Sequence, residues 1–297
     1  MIQISSCQVC GSEDLSLHMK TTDFSISKEH FTLSKCNKCS FIFTQDPPSE
    51  SSIGKYYESE DYISHSNTKK GLINRVYHVV RNLMLAKKFK LVNGLNRSKE
   101  ILDIGCGTGY FLDYMKGKGY KTLGIEPDDK ARNHGIESFG LEILPPSQLM
   151  DQTITTRFSF ISMWHVLEHL YDPKNYMSRI SQLLKDDGYL IVALPNCNSF
   201  DAAHYKSKWA GYDVPRHLWH FTPDTFSQFA QNNGFEMVKM KRLPFDAYYV
   251  ALLSEKYSGS SLGLIKGGII GFISMLRSWM NVKNTSSVIY VLKKSDK

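Results

Sequence analysis

The chain carries no acidic residue between Asp61 and Glu100 and none between Lys256 and Ser295. The first gap holds Lys69, Lys70, Arg75, Arg81, Lys87, Lys88, Lys90, Arg97 and Lys99, and the second holds Lys266, Arg277, Lys283, Lys293 and Lys294. Such stretches cannot neutralise themselves. They read either as solvated helix faces or as surfaces that attract phosphorylated metabolites, nucleic acid or anionic lipid headgroups. A long uninterrupted apolar run is also missing: Ser261 to Met280 is rich in Leu, Ile and Gly, but Lys266 and Arg277 break it, which argues against a membrane span. Met1 to Cys10 lacks the basic start and apolar stretch of a signal peptide, so a cytoplasmic location is expected. There is no internal repeat and no low-complexity tract. The dinucleotide-binding pattern G-x-G-x-x-G is absent as well, which points away from NAD.

Among the 297 residues, 42% are hydrophobic, enough for one main core with an appended module. Four of the six cysteines form two matched pairs, Cys7-x-x-Cys10 and Cys36-x-x-Cys39. In a cytoplasmic protein such pairs hold zinc through four thiolates more often than they form disulfides. Gly11 follows the first pair, as a tight turn aiming N–H groups at sulfur requires. With no open ligand position in the pattern, the expected role of Zn2+ is structural: it folds a small module that could not bury enough apolar surface by itself. Residues 1–45 are thus read as a zinc-ribbon-like β module, with strand-like segments at Thr32–Ser34 and Ser40–Phe43.

Residues 46–98 are read as a connector and a basic amphipathic helix. Leu72, Val76, Val79, Val80, Leu83 and Phe89 would form its apolar face, with the basic residues opposite. From 99 to 297, strand and helix signals alternate, the pattern of a parallel sheet covered on both faces. Strands are expected at 100–104, 121–126, 141–143, 158–163, 188–194, 235–242 and 287–293. Helices are expected near 109–117, 129–139, 174–184 and 223–233, the last opened by the cap and proline of Thr222-Pro223-Asp224.

The first of these strands runs into Asp103-Ile-Gly-Cys-Gly-Thr-Gly109, and the second ends at Glu126. Glycines at 105, 107 and 109 let a ligand approach the backbone at a helix N-terminus, and an acid one strand-helix-strand unit later can take both hydroxyls of a ribose. This pair of motifs resembles the class I S-adenosylmethionine (SAM) methyltransferases, over roughly residues 100 to 293. The resemblance implies an α/β fold with a seven-stranded Rossmann-like sheet. It also implies SAM held by Asp103, Gly105, Cys106, Gly107, Gly109, Glu126 and Pro127, with His165 beside the methyl group. Met163-Trp-His-Val-Leu-Glu-His-Leu170 resembles the V-L-E-H segment of small-molecule members, in which Glu168 and His169 would fix local backbone. Two departures leave the adenine contacts open: Ser159 opens the fourth strand where many relatives have aspartate, and Leu144-Pro-Pro-Ser-Gln148 lacks the usual acid, leaving Gln148 or backbone near Leu149.

Methyl transfer demands placement of the acceptor and, for a hydroxyl or an acidic C–H, a base. Histidine titrates near neutrality and suits the task. His204, His217 and His220 fall in one aromatic segment after the fifth strand, so residues 197–221 are read as an acceptor-binding lid. His217 is the first choice of base, followed by His220, His165 and Tyr212. Trp209, Tyr212 and Arg216 would bind the acceptor, Arg216 as a bidentate clamp on phosphate or carboxylate. The alternative at this point is that Trp209, Trp219 and Phe221 simply pack the core. The four-cysteine module ahead of this fold resembles enzymes that C-methylate nucleotide-linked keto sugars, and the lid resembles methyltransferases of surface polysaccharide assembly. A phosphate-bearing, nucleotide-linked or lipid-linked sugar is therefore the expected acceptor, with C- and O-methylation both open. Peripheral contact with an anionic membrane at its inner face is compatible with this. The competing function is an RNA base methyltransferase using the zinc module and basic helix, against which stands the lack of an Asn/Asp-Pro-Pro-aromatic motif after the fourth strand.

Overall fold

The computed structural model describes residues 1–58, 72–243 and 245–295, with backbone alone for 72–77. Among the described residues eleven strands form two sheets: β1 Leu15–Thr22, β2 His30–Cys36, β3 Ile42–Gln45, β4 Glu100–Ile104, β5 Lys121–Ile125, β6 Ile143–Leu144, β7 Phe158–Trp164, β8 Leu184–Pro195, β9 Trp219–His220, β10 Phe235–Arg242 and β11 Ser287–Lys294. The larger sheet has the order β10-β11-β8-β7-β4-β5-β6. From β6 to β8 its neighbours are parallel, and β11 and β10 close it antiparallel. This is the seven-stranded Rossmann-like architecture that the resemblance implies, built on the parallel sheet expected from the alternating pattern. Central strands read as near-continuous apolar runs because helices cover both faces: Leu102, Ile161, Leu190 and Val192 are fully buried.

The chain leaves β4 toward β5 on one side and returns to β7 on the other, so β4 and β7 flank a topological switch point. Their carboxyl ends lie level, Ile104 pairing with both Ile125 and Met163. A crevice at those ends is where open α/β sheets bind ligands.

The smaller sheet is antiparallel, in the order β1-β2-β3-β9. Its fourth strand comes from beyond residue 200: Ile42 pairs with His220 and Phe43 with Trp219. Cys7, Val9, Cys36, Phe41 and Phe43 belong to the same buried cluster as Trp219, Phe221, Leu194 and Met163. The N-terminal region therefore does not close a core of its own but builds directly onto the segment read as a lid.

Two sequence expectations need correction here. The helix Leu72–Asn93 does not keep its bases outside and its apolar residues inside. Val79 and Leu83 are exposed, while the Lys88 ammonium turns inward to lie 4.1 Å from the Trp164 ring centroid. Lys69, Lys70 and Gly71 lie outside the described residues, as do the side chains of Leu72, Arg75 and Val76. Residues 197–221 are not a lid either. They form a packed wall in which Tyr205, Trp209, Tyr212, Val214, Leu218, Trp219 and Phe221 are all buried.

Candidate active site

The turn after β4 shows why three glycines stand where they do. Gly105, Gly107 and Gly109 have φ of +72°, +55° and +85°, values that L side chains rarely adopt. A Cβ at Gly105 would lie 2.4 Å from Val166 Cγ2, and one at Gly109 would lie 2.6 Å from Leu141 Cδ1. At Gly107 a Cβ would meet nothing within 4 Å, so the turn is crowded by protein at its ends and open at its middle. Gly105 and Cys106 donate their N–H groups to Ile125 O at 2.7 and 3.0 Å, tying the turn to β5. Glu126 follows β5, and its carboxylate accepts from Gly107 N at 2.8 Å and Asp128 N at 3.0 Å. Turn and acid thus form one unit. Burial raises the pKa of Glu126 while those two N–H groups oppose the rise, and the lone pairs left over are suited to a diol's O–H donors. Pro127 is exposed beside it.

Behind the turn stands Asp103, only 2% exposed, which accepts from the Ser162 hydroxyl at 2.5 Å. It offers no open surface, a correction to its expected direct cofactor contact. Burial pushes its carboxyl up to about 7 against the opposing pull of Ser162 and Lys88. Burial likewise pushes the half-buried Lys88 down to about 8. The sign for stability follows: between pH 3.8, the ordinary value, and about 7, the unfolded chain releases a proton that folded Asp103 retains. Stability should fall as pH rises through that window on account of this group. Thermal unfolding followed against pH should show a flatter profile in Asp103→Asn than in the parent; an unchanged profile would reject the raised value.

The segment after β7 brings together groups far apart in sequence. His165, at φ +58°, places Nδ1 3.4 Å from Glu168 Oε1. Glu168 has no exposed surface, and neither of its carboxylate oxygens has a hydrogen-bond partner among the described residues. Its side chain, His169 and His217 present ligand atoms that all lie within 4.8 Å of one another. The two imidazole rings meet edge to face with centroids 4.6 Å apart. His217 Nδ1 donates to Gly211 O at 2.9 Å, and His169 Nδ1 donates to Arg216 O at 3.0 Å. A carbonyl can only accept, so both neutral rings carry the proton on Nδ1 and leave Nε2 as an acceptor. Burial pushes His169 down to about 4, helped by His217. Burial alone would lower His165, but the Glu168 carboxylate turns the shift upward. Burial alone would raise Glu168, and the surrounding histidines hold it below the ordinary value. A buried carboxylate with two unprotonated Nε2 atoms can accept a proton and stabilise the resulting cation; the same donor set could hold a metal ion.

Of the other residues expected at the acceptor, four are placed in the structure's framework instead. Arg216, 2% exposed, uses its guanidinium on Asp23 at 2.9 Å, Asp213 at 2.7 Å and Tyr56 O at 2.8 Å. Its donors are spent within the protein, and it cannot clamp a phosphate. Trp209 donates to Asp201 at 2.7 Å and packs edge to face on Tyr212. Tyr212 is 3% exposed, and burial pushes its phenol up, the wrong direction for a base. His220 lies in β9 with Nε2 3.1 Å from Thr44 Oγ1, and burial holds it well below its usual range. Conversely, Lys88 and Glu168 belong to the site's surroundings, although the sequence pattern puts Lys88 on a solvated face and gives Glu168 only a backbone-fixing role.

At the far end of the small sheet, Cys7 Sγ lies 3.5 Å from Cys39 Sγ and Cys10 Sγ 3.5 Å from Cys36 Sγ. All four sulfurs lie within 4.8 Å of one another, and each pair is closed by a matching turn, Gly11 N donating to Cys7 O and Ser40 N to Cys36 O. Both turn residues have positive φ.

These features can be set against known proteins. The model of a family described as "methyltransferase domain" matches residues 78–240, more than half of the chain. The chain belongs to that family. The ubiquinone biosynthesis O-methyltransferase of Rhodopseudomonas palustris (strain BisB5) is 28% identical over 179 residues, 54% of this chain and 66% of that protein. The enzyme of the same name from Glaesserella parasuis serovar 5 is 34% identical over 130 residues, covering 40% of this chain and 54% of its own length. Thus the chain spans between about half and two thirds of these relatives. Magnesium protoporphyrin IX methyltransferase from Synechocystis PCC 6803, solved with bound SAH, superposes with a TM-score of 0.53 at 11% identity, over 83% of this chain and all of that one. Family and fold together make this methyltransferase a class I, SAM-dependent enzyme. Among the described residues no helix is long and apolar enough to cross a membrane.

Proposed function

We propose that this methyltransferase transfers the methyl group of SAM to an oxygen of a small-molecule acceptor, with His217 as the base that takes the acceptor's proton. The observation that carries the reading is the convergence of Glu168, His169 and His217 at the end of β7, close in sequence to the Val166 side chain that packs on the glycine turn. When bound, SAM supplies a sulfonium carbon open to in-line attack. The chain's part is to hold donor and acceptor in line and to receive a proton at His217 Nε2, while the Gly211 carbonyl fixes the ring's tautomer and Glu168 stabilises the imidazolium. The curated relatives' name, an O-methyltransferase, supports oxygen as the methylated atom. A nucleotide-linked or lipid-linked sugar stays within this reading, but it no longer rests on Arg216.

Gly105, Gly107 and Gly109 with Glu126 would hold SAM. The cysteine cluster fits Zn2+: tetrahedral bonds of about 2.3 Å put thiolate sulfurs about 3.8 Å apart, close to the spacings here. Its role in this proposal is structural.

The cofactor half is tested by thermal unfolding with SAH. The parent chain should gain stability with rising SAH, whereas Glu126→Ala, which removes the carboxylate's charge-assisted hydrogen bonds, should bind about a hundredfold or more weakly. Equal shifts in both proteins would remove Glu126 from the site.

A further inference from the structure

Helix Gly263–Met280 is amphipathic the wrong way round for a soluble core. Its buried positions are Gly267, Gly271, Ser274 and Ser278. A Cβ at Gly267 would lie 2.9 Å from Leu252 Cα, and one at Gly271 would lie 2.9 Å from Tyr248 Cα, so the backbone of this helix rests directly on helix Asp246–Tyr257. Facing outward instead are Leu264 (83% exposed), Ile265 (62%), Ile269 (54%), Phe272 (48%), Leu276 (42%), Trp279 (62%) and Met280 (81%). At 100° per residue the four small residues fall within an arc of about 60°, and the seven apolar ones span roughly 160° on the other side. The preceding Leu262 (56%) extends the strip. A contiguous apolar face of this size is not ordinary surface.

We infer that this face rests on an anionic lipid bilayer, the helix lying in the interface plane. Charge selects the occupant. Lys266 and Arg277, both exposed, follow one another along one flank of the apolar arc, and no acidic residue occurs from Lys256 to Ser295. The Arg242 guanidinium lies 4.9 Å from the Trp279 ring centroid, which puts a third cation beside an aromatic of the kind that settles at headgroup depth. A second copy of the chain would bring Lys266 and Arg277 against the same two cations, and the helix itself has no carboxylate to meet them. The two basic positions also keep the helix from crossing the bilayer.

The buried side of the helix, behind the docked face, is joined to the acceptor side. Ser274 Oγ donates to Asp201 at 2.9 Å, the Arg277 guanidinium lies 4.3 Å from the Phe200 ring centroid, and Ser254 of the underlying helix accepts from Ala210 N at 2.9 Å. Asp201, Phe200 and Ala210 belong to the wall that carries His217. Resting on the proposed methyltransferase reading, the acceptor would then be a lipid-linked anion presented at the bilayer surface; docking itself does not depend on that reading.

The test is co-sedimentation of the full chain with vesicles of phosphatidylcholine alone and of phosphatidylcholine with phosphatidylglycerol. The parent should sediment with the anionic vesicles, less so as salt rises, and poorly with neutral ones. Phe272→Glu with Trp279→Glu should cut binding at least about tenfold, and Lys266→Glu should weaken it on anionic vesicles alone. Each variant should keep the parent's thermal unfolding and SAH-induced shift, because the altered side chains are exposed. Failure of the parent to bind anionic vesicles would overturn the inference. So would binding unaffected by Phe272→Glu with Trp279→Glu, or a dimer in light scattering that this pair of substitutions dissociates. Docking with no turnover of any lipid-linked acceptor would leave the surface standing and count against the acceptor reading.

Discussion

On the proposed zinc site, a chain carrying Cys36→Ser is expected to hold no metal and to lose the wall that presents His217, while keeping its affinity for SAH. Cys36 is fully buried at the end of β2, among Phe41, Phe43, Trp219 and Phe221. The coupling to the site is direct, because β3 is held by β9. Thr44 N donates to Leu218 O at 2.9 Å, and Thr44 Oγ1 donates to His217 O at 2.7 Å. A four-thiolate metal supplies folding free energy outright, so its loss should cost several kcal/mol here and lower the midpoint of thermal unfolding by on the order of 10 °C. The glycine turn and Glu126 stand on β4 and β5, in the other sheet, and should bind SAH as before. Metal content, thermal unfolding and SAH titration of the same preparation make the check. An unshifted midpoint in a metal-free chain would show that the four cysteines do not brace the wall.

The same coupling explains what could be read from the amino-acid sequence and what could not. Buried parallel strands advertise themselves as short apolar runs between helical periods, and Leu102, Ile161 and Val192 carry that signal without help from distant residues. The glycine turn is legible for a similar reason: backbone conformation and local crowding, at Gly105 and Gly109, are encoded within a few residues. The wall of residues 197–221 is different. Trp209, Tyr212, Arg216, Trp219 and His220 have the composition of a binding surface, yet whether such residues face a ligand or a neighbour depends on partners remote in sequence. Arg216 is neutralised by Asp213, three positions away, together with Asp23, 193 away, and His220 is capped by Thr44, 176 away. Nothing local marks the pairing with Asp23 or with Thr44. Helix Leu72–Asn93 failed for the converse reason: its periodicity is shallow, so Lys88 could turn toward Trp164 while Val79 and Leu83 turned out. Glu168 and His169 were in plain view in V-L-E-H, but their meaning required His217 to arrive from a distant stretch of the chain.

That arrival is what the largest kinetic effect should expose. His217→Ala is expected to lower kcat by about 10²–10⁴-fold, the usual worth of a positioned base, with SAH affinity unchanged. Glu168→Gln keeps the shape of the side chain and removes its charge, so it separates electrostatics from packing. In the parent, Glu168, with a smaller contribution from Asp246, lifts His165 above its ordinary value against the effect of burial. With glutamine in place, burial should dominate and the His165 titration seen by NMR should move below its ordinary value, whatever happens to turnover. If Glu168 stabilises the cation formed when His217 takes the acceptor's proton, kcat should fall in parallel, and the loss should be smaller for acceptors whose hydroxyl is already acidic, since these need less help in giving up a proton. A kcat that falls equally for acidic and weakly acidic acceptors would assign Glu168 and His217 to positioning rather than to proton transfer, and full turnover in His217→Ala would remove the base from this site altogether.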